Sequence, residues 1–152
     1  MIRRIVPLAA CLVLAYVFLR AGIPKIIDPA GFSLAVYRFQ LAPYSLVNAT
    51  AIYLPWLEVI AAILILWPRS RDAASLLITI LLVIFIVALI SALVRGLDVS
   101  CGCFTTNPDA HKLGIRNIIF DIFLLIIALV TFVMSIKTRS TPYGESTTLY
   151  GR

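Results

Sequence analysis

Cys101-Gly102-Cys103 is the part of this sequence best equipped for chemistry. Two thiols in one loop can cycle between dithiol and disulfide, because a thiolate attacks the sulfur of another disulfide and the bond is handed on. With one residue between them, the ring closes only if the backbone kinks. Extended residues hold the Cα atoms near the upper limit of about 6.8 Å, and the intervening glycine supplies the conformational freedom. A strained small ring is easier to reduce, which suits exchange better than bracing. Spacing alone leaves two other readings open, a pair of buried small residues and one end of a zinc site. Zinc needs further ligands, and His111 is the single histidine, so no metal is expected. Cys11 sits inside an apolar run and reads as a small packing residue.

A second set of residues carries charge where charge is costly. Arg20, Glu58 and Asp121 fall inside long apolar runs, and Lys25, Asp28, Arg95, Asp98 and Arg116 border them. Ionisable groups within a membrane face a bundle interior, a partner or a cavity. Asn117 and Asp121 stand one helical turn apart on one face, so they belong to a single polar site. Two readings follow. Arg20 pairs with Glu58 or Asp121 to lock the helices, or the group forms a polar pocket that tunes a thiolate or admits a quinone. Arg20, Arg95 and Arg116 would favour the thiolate form of a nearby cysteine.

The elements that must position these residues are read from the apolar runs. Apolar residues make up 62% of the 152 and charged residues 13%, with a mean hydropathy of +1.05. One globular core cannot hide that much apolar surface, so much of it faces lipid. Four runs, at about 5–27, 49–67, 73–94 and 115–136, each approach the ~20 residues that cross a hydrocarbon layer about 30 Å thick. Continuous runs indicate helices rather than the alternating strands of a barrel. The expected fold is all-α: an integral membrane four-helix bundle over residues 1–136, with a polar tail over 137–152. The first run continues past Arg20 with no small-x-small cleavage pattern leading into a soluble domain, so it reads as a retained helix rather than a signal peptide.

Asp28-Pro29 reads as a helix start, with Asp as the cap and Pro at the first helical position. Phe32, Ala35, Val36 and Phe39 then recur at helical spacing, which predicts a short interfacial helix between the first two spans. Tyr37, Tyr44, Tyr53 and Trp56 form an aromatic belt at that surface.

The net charge is +6, but the basic residues are scattered at span ends with no basic helix or aromatic-basic platform. Nucleic-acid binding is excluded on that ground, and the charges fit membrane topology instead. Arg3, Arg4, Arg69, Arg71, Lys137 and Arg139 flank the spans on one side. Arg20, Lys25, Arg38, Arg95, Lys112 and Arg116 fall toward the other, several beside the acids Asp28, Asp98 and Asp121. Reading the latter group as internally paired puts both termini in the cytoplasm and the Cys101–Cys103 loop outside.

Four stretches together resemble the MauE branch of the DoxX-like membrane proteins: FLRAGIPKIIDPAGF at 18–32, LPWLE at 54–58, DVSCGCF at 98–104 and GIRN at 114–117. The Lys-x-x-Asp-Pro and Pro-x-x-Glu pieces are shared across DoxX-like proteins, and Cys-Gly-Cys-Phe followed by Arg-Asn is the more specific MauE-like pattern. The matching positions are Arg20, Lys25, Asp28, Glu58, Cys101, Cys103, Arg116 and Asn117. The resemblance implies a four-helix bundle in a bacterial inner membrane. It also implies a role in periplasmic thiol-disulfide chemistry that supports maturation of a partner enzyme. In the MauE case that partner is methylamine dehydrogenase, alongside a thioredoxin-like protein. Thr105 stands where the family usually has glycine, and nothing in the residues specifies methylamine.

Two functions compete. In the first, Cys101 and Cys103 exchange with a periplasmic thioredoxin-like protein or a maturing enzyme, with quinone as the candidate electron carrier although no quinone signature is present. In the second, the chain is a non-catalytic accessory subunit of a larger membrane complex. A small transporter fits less well, because the third run is uniformly apolar and no internal repeat appears.

Overall fold

The computed structural model describes residues 2–41, 43–97 and 115–139. The Cys101–Cys103 loop, with Asp98 and His111, and the tail from 140 onward lie outside the described residues. Five α-helices follow one another: α1 (Ile2–Ile27), α2 (Pro29–Arg38), α3 (Tyr44–Leu64), α4 (Arg71–Val94) and α5 (Ile115–Arg139). No strand occurs among the described residues.

Helices α1, α3, α4 and α5 are long and apolar enough to cross a membrane. At a rise of about 1.5 Å per residue, α3 alone measures roughly 31 Å, close to the thickness of a hydrocarbon layer. The outer faces are aliphatic: Ile80, Val83, Val87 and Ile90 on α4 and Ile119, Phe123, Ile126 and Val130 on α5 are all exposed. Such stripes are unfavourable in water and neutral in lipid. The protein is a multi-pass membrane protein.

The four spans form a ring in which α1 packs on α3 and α5, and α4 packs on α3 and α5. Between α3 and α4 the chain reverses in a tight turn. There the Ser70 hydroxyl donates to the Leu64 carbonyl at 3.0 Å and Arg71 Nε donates to the Ile65 carbonyl at 3.4 Å. These donors satisfy carbonyls that the end of α3 leaves open, and the arginine charge complements the helix dipole. This end of the bundle is called the turn end. The opposite end, where α4 finishes and α5 begins, is called the loop end.

Toward the turn end the core is made of small and apolar side chains. Cys11, Leu14, Ala15 and Phe18 of α1 meet Ala61, Ala62 and Ile65 of α3, Ala74 and Ile78 of α4 and Ala128 of α5. Cys11 is buried with a free thiol, packed as an apolar residue. Alanines let backbones approach closely, which is how helices associate where lipid removes the hydrophobic drive. Gly22 continues that approach: a Cβ there would lie 2.9 Å from Val59 Cγ2 and 3.2 Å from the Pro55 carbonyl oxygen.

The contact at Gly22 sets the register of α1. Pro55 lies eleven residues, roughly 17 Å, along α3 from its start at Tyr44. Since α1 has only five residues left after Gly22, it stops well short of the loop end, and the short helix α2 covers the remaining depth. Pro29 opens α2, and the Asp28 carboxylate caps it by accepting from Gly31 N–H at 2.9 Å. Gly31 must be a glycine for this, since a Cβ would run into the Asp28 carboxylate. Phe32, Ala35 and Phe39 are the buried face of α2. Phe32 and Ala35 pack on Ala51 of α3, and Phe39 packs on Leu89 and Ala92 of α4. Arg95 then fastens the end of α2, donating to the carbonyls of Phe39 and Gln40. Gln40 sits at φ 51°, the left-handed turn that leads the chain toward α3.

Candidate functional site

The five helices converge on one ammonium group. Lys25, two residues from the end of α1, is 2% exposed, and its Nζ donates to Glu58 Oε1 at 2.7 Å and Oε2 at 2.9 Å. Phe32 of α2 and Phe85 of α4 turn their rings toward the same nitrogen, with centroids 5.0 and 5.7 Å away. Both distances fall within the reach of cation–π attraction. Asp121 of α5 is 7% exposed, and the Lys25 charge acts on it electrostatically. Asp121 Oδ2 is buried with no hydrogen-bond partner among the described residues.

Lys25 and Glu58 are held in place by the helix approach at Gly22, since the Glu58 Cβ is among the atoms nearest that glycine. A buried pair of this kind adds little net stability relative to apolar side chains, but losing one partner strands the other and costs about 3–5 kcal/mol. The pair therefore fixes register more than it adds stability. Asp121 is different, because it brings a second carboxylate to a site with one ammonium and leaves an acceptor unsatisfied.

A cavity lies against the group. It offers about 70 Å³ of room and is lined by Phe18, Lys25, Leu54, Glu58, Phe85 and Asp121, among others. A second, larger hollow of about 180 Å³ lies between α2, α3 and α4, lined by Phe32, Phe39, Leu41, Thr50 and Ala88. The two share Leu54, Ile84 and Phe85 as a common wall. Among the described residues no three His, Cys, Asp or Glu side chains gather as metal ligands.

The residues singled out from sequence divide into three groups. Lys25, Glu58 and Asp121 come together. Asp28 is close in sequence but serves α2 as its cap, and Asn117 is half-buried one turn before Asp121. Arg20 and Arg116 are exposed, so the partner of Glu58 is Lys25 and not Arg20. The reason is angular: five residues along a helix turn the side chain by about 140°, so Arg20 and Lys25 cannot share the inward face. Cys101 and Cys103 lie outside the described residues, in the segment between Leu97 and Ile115 at the loop end. Phe85 escaped the reading of the sequence, although it is the only aromatic residue of α4.

A family model described as methylamine utilisation protein MauE matches residues 3–134. Methylamine utilization protein MauE of Methylophilus methylotrophus is 31% identical over 115 residues, covering 75% of this chain and 60% of that protein. The chain thus matches about three fifths of that relative's length. No solved structure matches the chain. The matched stretch runs from α1 into α5 and takes in every residue of the Lys25–Glu58–Asp121 site, and on that match the chain belongs to the MauE family.

Proposed function

We propose that this protein is a thiol-disulfide membrane protein that supports the maturation of a partner enzyme, one of methylamine use as the relative's name suggests. Cys101 and Cys103 carry the chemistry. Their two thiols reduce a disulfide of a periplasmic thioredoxin-like protein or of the maturing enzyme, becoming a disulfide themselves as the partner gains two thiols. The reverse exchange balances equally. The observation that carries this reading is the Cys-Gly-Cys sequence in the segment joining α4 to α5, within the family match. In this reading the chain lies in a bacterial inner membrane with cytoplasmic termini and the cysteine segment in the periplasm, where oxidation is sustained. A quinone is the candidate carrier for the electrons.

The test is the redox state of the pair in intact membranes poised at a series of thiol potentials, trapped with a membrane-impermeant alkylating reagent and read by peptide mass. A reversible two-electron transition reached from the periplasmic side is expected. A pair that never changes state, or that reacts only after the membrane is opened, ends this reading.

One observation favours the second reading, an accessory subunit. Arg20 is exposed on α1, two residues from the Gly22–Pro55 contact and so within the membrane depth spanned by α3, with no ion-pair partner among the described residues. In the described spans Glu58 and Asp121 are buried in this chain's own core. A carboxylate on a neighbouring subunit's helix would complement Arg20.

A further inference from the structure

The unsatisfied oxygen of Asp121 states what the cavity lacks. A buried acceptor without a donor costs about 1–3 kcal/mol, so the group that belongs there is a hydrogen-bond donor. Lys25 is committed to both oxygens of Glu58 and to two aromatic faces. Apart from that pair and Asp121, the named cavity walls are apolar, and the adjoining hollow is walled by Phe32, Phe39, Leu41 and Ala88, with Thr50 the one polar side chain in its lining. An anionic lipid headgroup does not suit such a place, because it would meet two carboxylates and one ammonium that is already paired. What suits it is an uncharged head bearing a hydroxyl, with an apolar body that fills the larger hollow between α2 and α4. The rings of Phe32, Phe39 and Phe85 along that hollow favour a planar ring over a simple chain.

We propose that these two adjacent hollows together form a binding site for a lipid hydroquinone, whose hydroxyl donates to Asp121 Oδ2 and whose body passes the shared residues Leu54, Ile84 and Phe85. With Asp121 held as a carboxylate, a quinone, which has only carbonyl acceptors, would face its oxygen with nothing to donate, so the site distinguishes the reduced form from the oxidised one. Selective binding of the reduced form raises the midpoint potential of the bound couple, about 30 mV for each tenfold preference in a two-electron reaction. This consequence rests on the thiol-disulfide reading above and gives it a direction. Two thiols would form a disulfide and give up two electrons and two protons, and the quinone would take up both to become hydroquinone. The hydroquinone site itself does not depend on the cysteines.

The experiment uses the full chain in phosphatidylcholine nanodiscs, with protein-free nanodiscs setting the partition baseline. Equilibrium dialysis compares three probes: a decyl hydroquinone under reducing gas, the matching decyl benzoquinone, and dodecanol as a hydroxyl without a ring. One saturable hydroquinone per chain is expected, bound at least about tenfold tighter than the quinone. Asp121→Asn, whose amide adds a donor, is expected to erase or invert that preference. Ala88→Phe, which fills the larger hollow, is expected to abolish binding of both forms, and its melting temperature in nanodiscs shows whether it has folded. Equal binding of the two redox forms overturns the proposal, as does binding of neither, or dodecanol binding as tightly as the hydroquinone. If those results arrive while the cysteine pair still cycles in membranes, the hydroquinone site fails and the thiol reading stands. If hydroquinone binds selectively while the pair never cycles, the reverse holds.

Discussion

The two halves of this bundle solve the same packing problem with opposite materials. Toward the turn end, Cys11, Leu14 and Ala15 meet Ala61, Ala62 and Ala74, and the hydroxyls borne on the helices bond within their own helices. Ser75 donates to the Asp72 carbonyl, Thr79 to Ser75 and Thr131 to Ile127. Toward the loop end the polar groups bond between helices, Lys25 to Glu58 and Arg95 to the end of α2. The first half is held by close fit and tolerates no space. The second is held by a few directed contacts around hollows. The lesson is that a membrane protein can spend its tight packing in one region and keep room for chemistry in another.

Four substitutions would break or sharpen that contrast. The largest effect is expected for Lys25→Met, which strands Glu58 beside Asp121 and should destabilise the protein by about 3–5 kcal/mol. Adding Glu58→Leu should restore most of the loss, measured by reversible unfolding in mild detergent. Recovery in the double variant separates a register-setting pair from one that truly stabilises. Next comes Leu14→Ala at the turn end, where a fully buried side chain is cut back among fixed neighbours and about 2–5 kcal/mol should be lost. If Leu14→Ala proved neutral, the tightly packed half would be looser than its alanines suggest. The smallest effect, about 1 kcal/mol, is expected for Asp28→Ala, which removes the cap of α2. Faster amide exchange at Gly31 and Phe32 than at residues of α4 would show the loss to be local.

Much of the architecture was legible because lipid contact writes itself into composition. Four apolar runs marked the spans, and Asp28-Pro29 marked the start of α2. The ends of α3 were less visible: its helix begins at Tyr44, ahead of the apolar run, and stops at Leu64, leaving Ile65, Leu66 and Trp67 to the turn. Hydropathy reports which residues meet lipid, whereas backbone hydrogen bonding sets where a helix begins.

Within the candidate site, the ionisable residues could be named but not paired. Counting along the first run placed Arg20 near its far end and made it a partner for Glu58 or Asp121. The signal that separates Arg20 from Lys25 was present in the spacing of Cys11, Leu14, Phe18, Gly22 and Lys25, which recur every three or four residues and define one face. Arg20 falls off that stripe. Asp121 and Phe85 approach Lys25 only through the ring order of the helices, which no local pattern encodes.

The clasp at Arg95 has a mechanical consequence. Its guanidinium grips the Phe39 and Gln40 carbonyls just past α2, while its own backbone caps the end of α4. A displacement of the end of α4 therefore bears on a crank whose other arm is α2. Because α2 carries Phe32 against the Lys25 ammonium and walls the larger hollow, a small rotation at Arg95 would alter both at once. The end of α4 and the larger hollow are thereby geared to one another through a single side chain.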